Sequence, residues 1–85
     1  MLVDLLYFGD LRAALGRDSE RVDPPSHVLT ILDLVAWLSE RGADYQAALA
    51  DRSRICAAID LEHCPVGDSF FGAREVALFS PVRGL

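Results

Sequence analysis

The stretch Glu75-Val76-Ala77-Leu78-Phe79-Ser80-Pro81-Val82-Arg83-Gly84-Leu85 decides how the rest of the chain is read. Its first half alternates as a strand does, with Val76 and Leu78 on one face and Ala77 and Phe79 on the other. Pro81 ends the ladder because it has no N–H to donate. The segment beyond the strand is short, bare of side-chain bulk at Gly84, and reads as a tail, residues 81–85, projecting from the folded body. An enzyme acting on a polypeptide's terminal carboxylate needs such a tail, extended and narrow. Termini stay loose unless tied down, and glycine lets a second backbone approach closely. The plainer reading is a last strand that frays.

The body to which this strand belongs is small. A chain of 85 residues hides only about 60–65% of its unfolded surface, so residues 1–85 are expected to form one domain around one core. A hydrophobic fraction of 52% supplies that core and excludes a disordered chain. No apolar run approaches the roughly 20 residues of a membrane span. The start, Met1-Leu2-Val3-Asp4, lacks the basic segment of a signal peptide, so a cytoplasmic protein with no membrane partner is expected. Eight arginines oppose thirteen acids, a net charge of −5, with no basic cluster. Nucleic-acid binding depends on neutralising phosphates, so no nucleic-acid partner is expected. Acidity steers a small protein towards basic partners instead. There is no lysine, hence no side-chain amine on which a second tail could be joined.

Working back from the last strand, the chain reads β-(short α)-β-α-β-β. Leu2 to Phe8 is almost continuously apolar, the pattern of a strand buried on both faces and central in its sheet. Asp10 is placed to cap a short helix over Leu11–Leu15, with Gly16 as its stop. Ser19 to Asp23 form a polar strand near an edge, and Pro24-Pro25-Ser26 break the ladder. Thr30, with Asp33 as a weak capping-box acid, opens the principal helix. Ile31, Leu34, Val35 and Leu38 make its apolar stripe. Leu32 and Trp37 lie off the stripe, and Gly42 ends the helix. Asp44 to Ala50 form a further helical turn, Tyr45 and Leu49 facing the body. Ser53–Ile59 read as the third strand, Asp60–His63 as a turn and Cys64-Pro65-Val66 as a short return strand. Phe70 and Phe71 are expected to anchor the next loop in the core.

The most apolar strands are the first and the last, so both belong in the centre. Only one long amphipathic helix is available, which leaves the other face of the sheet partly bare. An α+β domain satisfies this, a mixed sheet of four to five strands packed on one main helix with the terminal strands parallel and adjacent. That is the β-grasp fold of ubiquitin.

No catalytic constellation is visible: no Ser-His-Asp set and no glycine-rich phosphate loop. Asp60 and Glu62 are candidate acid–base carboxylates but read more simply as solvated turn residues. Cys56 and Cys64 read as packed thiols, with only His63 near enough to activate Cys64. His63, His27 and the cysteines have no metal spacing, so neither catalytic nor metal-binding residues are assigned. Phe8, Phe79, Pro81 and Val82 would form an apolar face at the base of the tail, a feature that marks partner surfaces. The alternative for these four is ordinary core, which at least one of the two phenylalanines is expected to join.

Leu6-Tyr7-Phe8 with Leu11-Arg12-Ala13-Ala14-Leu15-Gly16, then Asp33-Leu34-Val35-Ala36-Trp37-Leu38, Ala57-Ala58-Ile59-Asp60 and Glu75-Val76-Ala77-Leu78-Phe79-Ser80-Pro81-Val82 together resemble the MoaD family, the small subunit of molybdopterin synthase (molybdopterin-converting factor subunit 1). The resemblance runs through nearly the whole chain in order. It implies a ubiquitin-like sulfur carrier of molybdenum cofactor biosynthesis, itself non-catalytic and binding no cofactor. A MoeB-like enzyme would use ATP to adenylate its terminal glycine, which is then converted to a thiocarboxylate. The tail would enter a MoaE-like large subunit, in a heterotetramer, and give sulfur to precursor Z. Gly84 would be the sulfur-carrying position, and Phe8, Phe79, Pro81, Val82 and Arg83 would face the partner. The chain departs from the family's Gly-Gly ending, because Leu85 follows Gly84. Ala73-Arg74 replaces the usual Gly-Asp, and Asp60 the usual Asn. Leu85 keeps open a β-grasp binding module that docks without carrying sulfur. A carrier of thiamine thiazole synthesis is a third reading.

Overall fold

The structure, a computed structural model, describes residues 2–50 and 54–79. Its elements are β1 (Val3–Tyr7), α1 (Gly9–Leu15), β2 (Ser19–Val22), α2 (Ile31–Ser39), α3 (Ala43–Ala48), β3 (Cys56–Ile59), β4 (Glu62–Cys64) and β5 (Glu75–Phe79). They build one five-stranded sheet in the order β2-β1-β5-β3-β4. β1 and β5 run parallel, with Leu5 opposite Val76 and Tyr7 opposite Leu78. Every other pairing is antiparallel. This is the α+β, β-grasp arrangement that the strand hydrophobicities imply.

The expected burial of the first strand on both faces does not occur. Val3, Leu5 and Tyr7 are buried, while Asp4 and Leu6 between them are only half-buried. β5 repeats the pattern, with Val76 and Leu78 inside and Ala77 and Phe79 half-buried outside. The cause is the supply of helices. α2 lays Ile31, Leu34, Val35 and Leu38 on the inner face, all buried, and no described element covers the outer one.

Local chemistry explains most boundaries and corrects several expectations. Thr30 and Asp33 form a reciprocal capping box at the start of α2. The N–H groups of Thr30 and Leu29 hold the Asp33 carboxyl below its ordinary pKa. α2 stops at Ser39, before Gly42, because Glu40 N–H and Arg41 N–H turn back to Trp37 and Leu38 carbonyls and tighten the last turn. Gly42 instead precedes α3, in extended backbone. The α1 cap position is Phe8 and not Asp10, which lies in the first turn, where the helix dipole favours its charge. Gly16 does stop α1, its φ of 70° being the left-handed conformation that glycine adopts without strain.

Two loops also differ from expectation. The turn after β3 is only Asp60-Leu61, with φ of 49° and 75°, so Glu62 and His63 already belong to β4. A tight two-residue hairpin needs positive φ at both central positions to match the strand twist. The short return strand therefore lies two residues earlier than Cys64-Pro65-Val66. Phe70 is buried as expected, but Phe71 is 84% exposed. The chain turns at this point, Ala73 N–H closing on the Phe70 carbonyl, so Phe70 faces the core while Phe71 is carried outward on the turn.

Candidate functional site: the outer sheet face beside the last strand

The outer face is built from residues that alternate with the core. Leu6 pairs with Ala77, Ala77 with Ala58, and Ala58 with His63, one row across β1, β5, β3 and β4. The two alanines in the middle are too short to fill the surface. Taller neighbours, Phe8, Leu61, His63 and Phe79, stand around them and leave a shallow apolar hollow of about 480 Å³. Phe8 is 48% exposed and Leu61 84%. The His63 and Phe79 rings meet edge to face, with centroids 5.4 Å apart. Phe8 N–H donates to the Leu78 carbonyl, so the start of α1 is fixed to the end of β5. No lining residue is an acid, lysine or arginine. The face thus offers apolar area and shape, and specificity would come from what fits between the two phenylalanines.

Of the residues singled out from the sequence, the structure brings Phe8 and Phe79 to this one hollow. Pro81, Val82, Arg83, Gly84 and Leu85 lie outside the described residues. Ala58, Leu61 and His63 join the face without having been expected there, and Ala77 lies on the Phe79 side of the last strand as its alternation implies. The signal for Ala77 is present in the sequence, since it alternates with the buried Val76 and Leu78. His63 is hidden by reading the turn as four residues long.

Asp60 and Glu62 do not form a catalytic pair. The Asp60 carboxylate accepts hydrogen bonds from Arg74 N–H (3.1 Å) and Glu75 N–H (3.0 Å), fastening the hairpin to the start of β5. Glu62 is exposed on β4. Cys56 pairs with Phe79 on the outer face, whereas Cys64 pairs with Ala57 on the inner one. Opposite faces keep the two thiols from bridging, and both are free. Burial, with a smaller contribution from Asp68, pushes the Cys64 thiol pKa up and makes it a poor nucleophile at neutral pH.

A second polar site is invisible in the sequence. Glu20, opposite Leu5 on β2, points to the inner face. Its Oε2 accepts from Tyr7 Oη (2.7 Å) and Tyr45 Oη (2.8 Å). Its Oε1 accepts from Arg41 Nη1 (3.1 Å) and Arg17 Nη1 (3.3 Å). Arg41 also lies over the Trp37 and Tyr45 rings. Burial raises the Glu20 pKa, but the two tyrosine hydroxyls and the two arginines outweigh it, and the net shift is downward. Tyr7 is pushed far above the usual tyrosine range, first by burial and then by its bond to Glu20. This cluster joins β1, β2, α3 and the end of α2 and is structural. Two buried tyrosines in need of an acceptor are its only trace in the sequence.

An open face with an aromatic rim, set beside the C-terminal end of a central strand, is the architecture of a ubiquitin-like sulfur carrier of the MoaD and ThiS type. The chain belongs to the ThiS family, whose model matches residues 5–84. Among solved structures it is similar to SAMP1 from Haloferax volcanii, at 24% identity over 100% of both chains with a TM-score of 0.72. It also resembles a protein designated molybdopterin converting factor, subunit 1, from Pyrococcus furiosus, at 18% identity over 96% of this chain and 99% of that one, with a TM-score of 0.74. The solution structure of the Haloferax volcanii HVO 2177 protein agrees at 20% identity and a TM-score of 0.71, covering 100% of this chain and 87% of that one. No curated protein matches the chain significantly. Among the described residues no helix is long and apolar enough to cross a membrane.

Proposed function

We propose that this chain is a sulfur carrier of molybdenum cofactor biosynthesis, the small subunit of a molybdopterin synthase. The observation that carries the reading is the apolar hollow between Phe8 and Phe79, placed where β5 hands the chain over to its C-terminal residues. Membership of the ThiS family and the likeness to the Pyrococcus protein support it.

In this reading an adenylating enzyme of the MoeB type docks on the hollow. The tail's terminal carboxylate attacks the α-phosphate of ATP, pyrophosphate leaves, and an acyl adenylate results. A sulfide-level donor then displaces AMP and leaves a thiocarboxylate. The ATP belongs to the activating enzyme, and the carrier itself binds no cofactor. The same face afterwards seats on a MoaE-like large subunit, in a heterotetramer, where the tail gives its sulfur to precursor Z. In this reading Gly84 leaves room beside the reacting carbon, and Pro81, Val82 and Arg83 are tail residues that face the partner. The setting is cytoplasmic.

Leu85 favours one second reading, a binding module that docks on the large subunit with a blocked end. The test is intact mass after incubation with ATP, a MoeB-type enzyme and a sulfur donor, for the chain as it stands and for Leu85→Gly. Exchange of one oxygen for sulfur in the chain as it stands establishes the carrier. Exchange only in Leu85→Gly establishes the blocked module. Exchange in neither overturns sulfur carriage. Co-purification with a MoaE-like subunit separates this pathway from thiamine thiazole synthesis and from protein modification.

A further inference from the structure

His63 is the one lining residue of the Phe8–Phe79 hollow that can change its charge near neutral pH; every other is apolar or glycine. It stands opposite Ala58 on β4, and its ring meets the Phe79 ring edge to face at 5.4 Å. In the free chain His63 is exposed, so water solvates the imidazole in either protonation state. An apolar group of a partner, seated in the hollow, displaces that water. Burial without a counter-charge disfavours the charged form of a histidine. Imidazole is also the side chain whose charge ordinarily changes between about pH 5 and 8.

The elements around the ring place no acid, lysine or arginine in the lining. On β3 the titratable group of the same outer face is Cys56, opposite Phe79. At the turn, the Asp60 carboxylate is held by Arg74 N–H and Glu75 N–H. On β5, Glu75 lies at the other end of the strand from Phe79, opposite Asp4 of β1, whose carboxylate pairs with Arg21 (2.8 Å). In α1, Asp10 follows Gly9 without reaching the lining. Glu62 and Cys64 flank His63 on β4 and alternate to the opposite face. We propose that docking on this face is proton-linked through His63: the neutral imidazole completes the apolar wall, and the imidazolium weakens docking. This link rests on the docking reading proposed above and supplies its regulation. The ring sits against Phe79 and outside the core, so its charge bears on docking more than on the fold.

The test is titration calorimetry of the full chain with a MoeB-type adenylating enzyme at about pH 5.5, 6.5 and 7.5. Affinity is expected to fall about tenfold from the highest pH to the lowest, as the imidazole passes from mostly neutral to mostly charged. His63→Phe should dock equally well across the range. At about pH 6 the wild type should release more protons on docking than His63→Phe, by up to about one, read in two buffers of different ionisation enthalpy. A circular-dichroism melt at each pH shows that folded chains are being compared. A pH dependence shared by both proteins overturns the proposal, since it then belongs to the enzyme or to His27, which lies apart beside Asp33 and Trp37. Phe79→Ala tells two further failures apart. Docking weakened by Phe79→Ala yet constant with pH overturns the proton link alone. Docking untouched by Phe79→Ala, or absent at every pH, overturns the docking face and the proton link with it.

Discussion

The two faces of the sheet carry the same alternating strands and come to opposite ends. On the inner face Leu5, Val76 and Leu78 meet α2 and are fully buried. On the outer face Leu6, Ala77 and Ala58 meet no covering element among the described residues, and aromatic rings stand around small residues. One helix cannot cover both sides, and the side left bare is the side available to a partner. Stability and recognition are thus assigned to alternate residues of the same strands.

That division can be tested from the stability side first. Glu20→Gln keeps the shape of the clasp but removes its charge, and should cost about 2 kcal/mol at neutral pH. The Glu20 pKa is depressed in the folded state. Its contribution is therefore fully present above the ordinary carboxylate pKa and disappears as pH falls through the lowered folded-state value. Urea denaturation at neutral and acidic pH should show the wild-type and Glu20→Gln curves converging on acidification. A constant gap would mean that Glu20 acts through packing alone.

On the recognition side, Phe79→Ala should weaken docking to an adenylating enzyme or large subunit about tenfold or more. Its cost to stability should stay below the roughly 3–5 kcal/mol of a core phenylalanine, since the ring is only partly buried. Titration calorimetry alongside a thermal melt reads both. A large loss of stability with unchanged docking would reverse the assignment of the two faces. The smallest effect has the opposite sign. Leu61 sits at φ 75° in the hairpin, so Leu61→Gly should relieve strain and raise stability by up to about 1 kcal/mol. It also removes one wall of the hollow, so a gain in stability accompanied by weaker docking would show the two demands competing at one residue.

The fold is legible in the sequence because its signals are strong and local. The helix stripe, the capping box and the alternation of β5 all point to the same architecture. The features that stay hidden are matters of direction. A polar strand near an edge gives no hint that Glu20 turns inward, since that depends on register with Leu5. Phe70-Phe71 reads as two anchors, although a turn admits only one of them. Leu61 at positive φ is disfavoured for a bulky residue, which is why the sequence suggests a longer turn than the chain makes. The face beside the end of β5 is half legible: Phe8 and Phe79 stand out by composition, while Ala58 and His63 need the cross-strand pairing.

β5 is the middle strand, bonded to parallel β1 on one side and antiparallel β3 on the other. A pull along the axis of β5 falls on both rows of hydrogen bonds at once. Such a load must shear every rung together, where a peeling load at an edge would break them one by one. A load applied along β5 is thus met in shear by both of its neighbours.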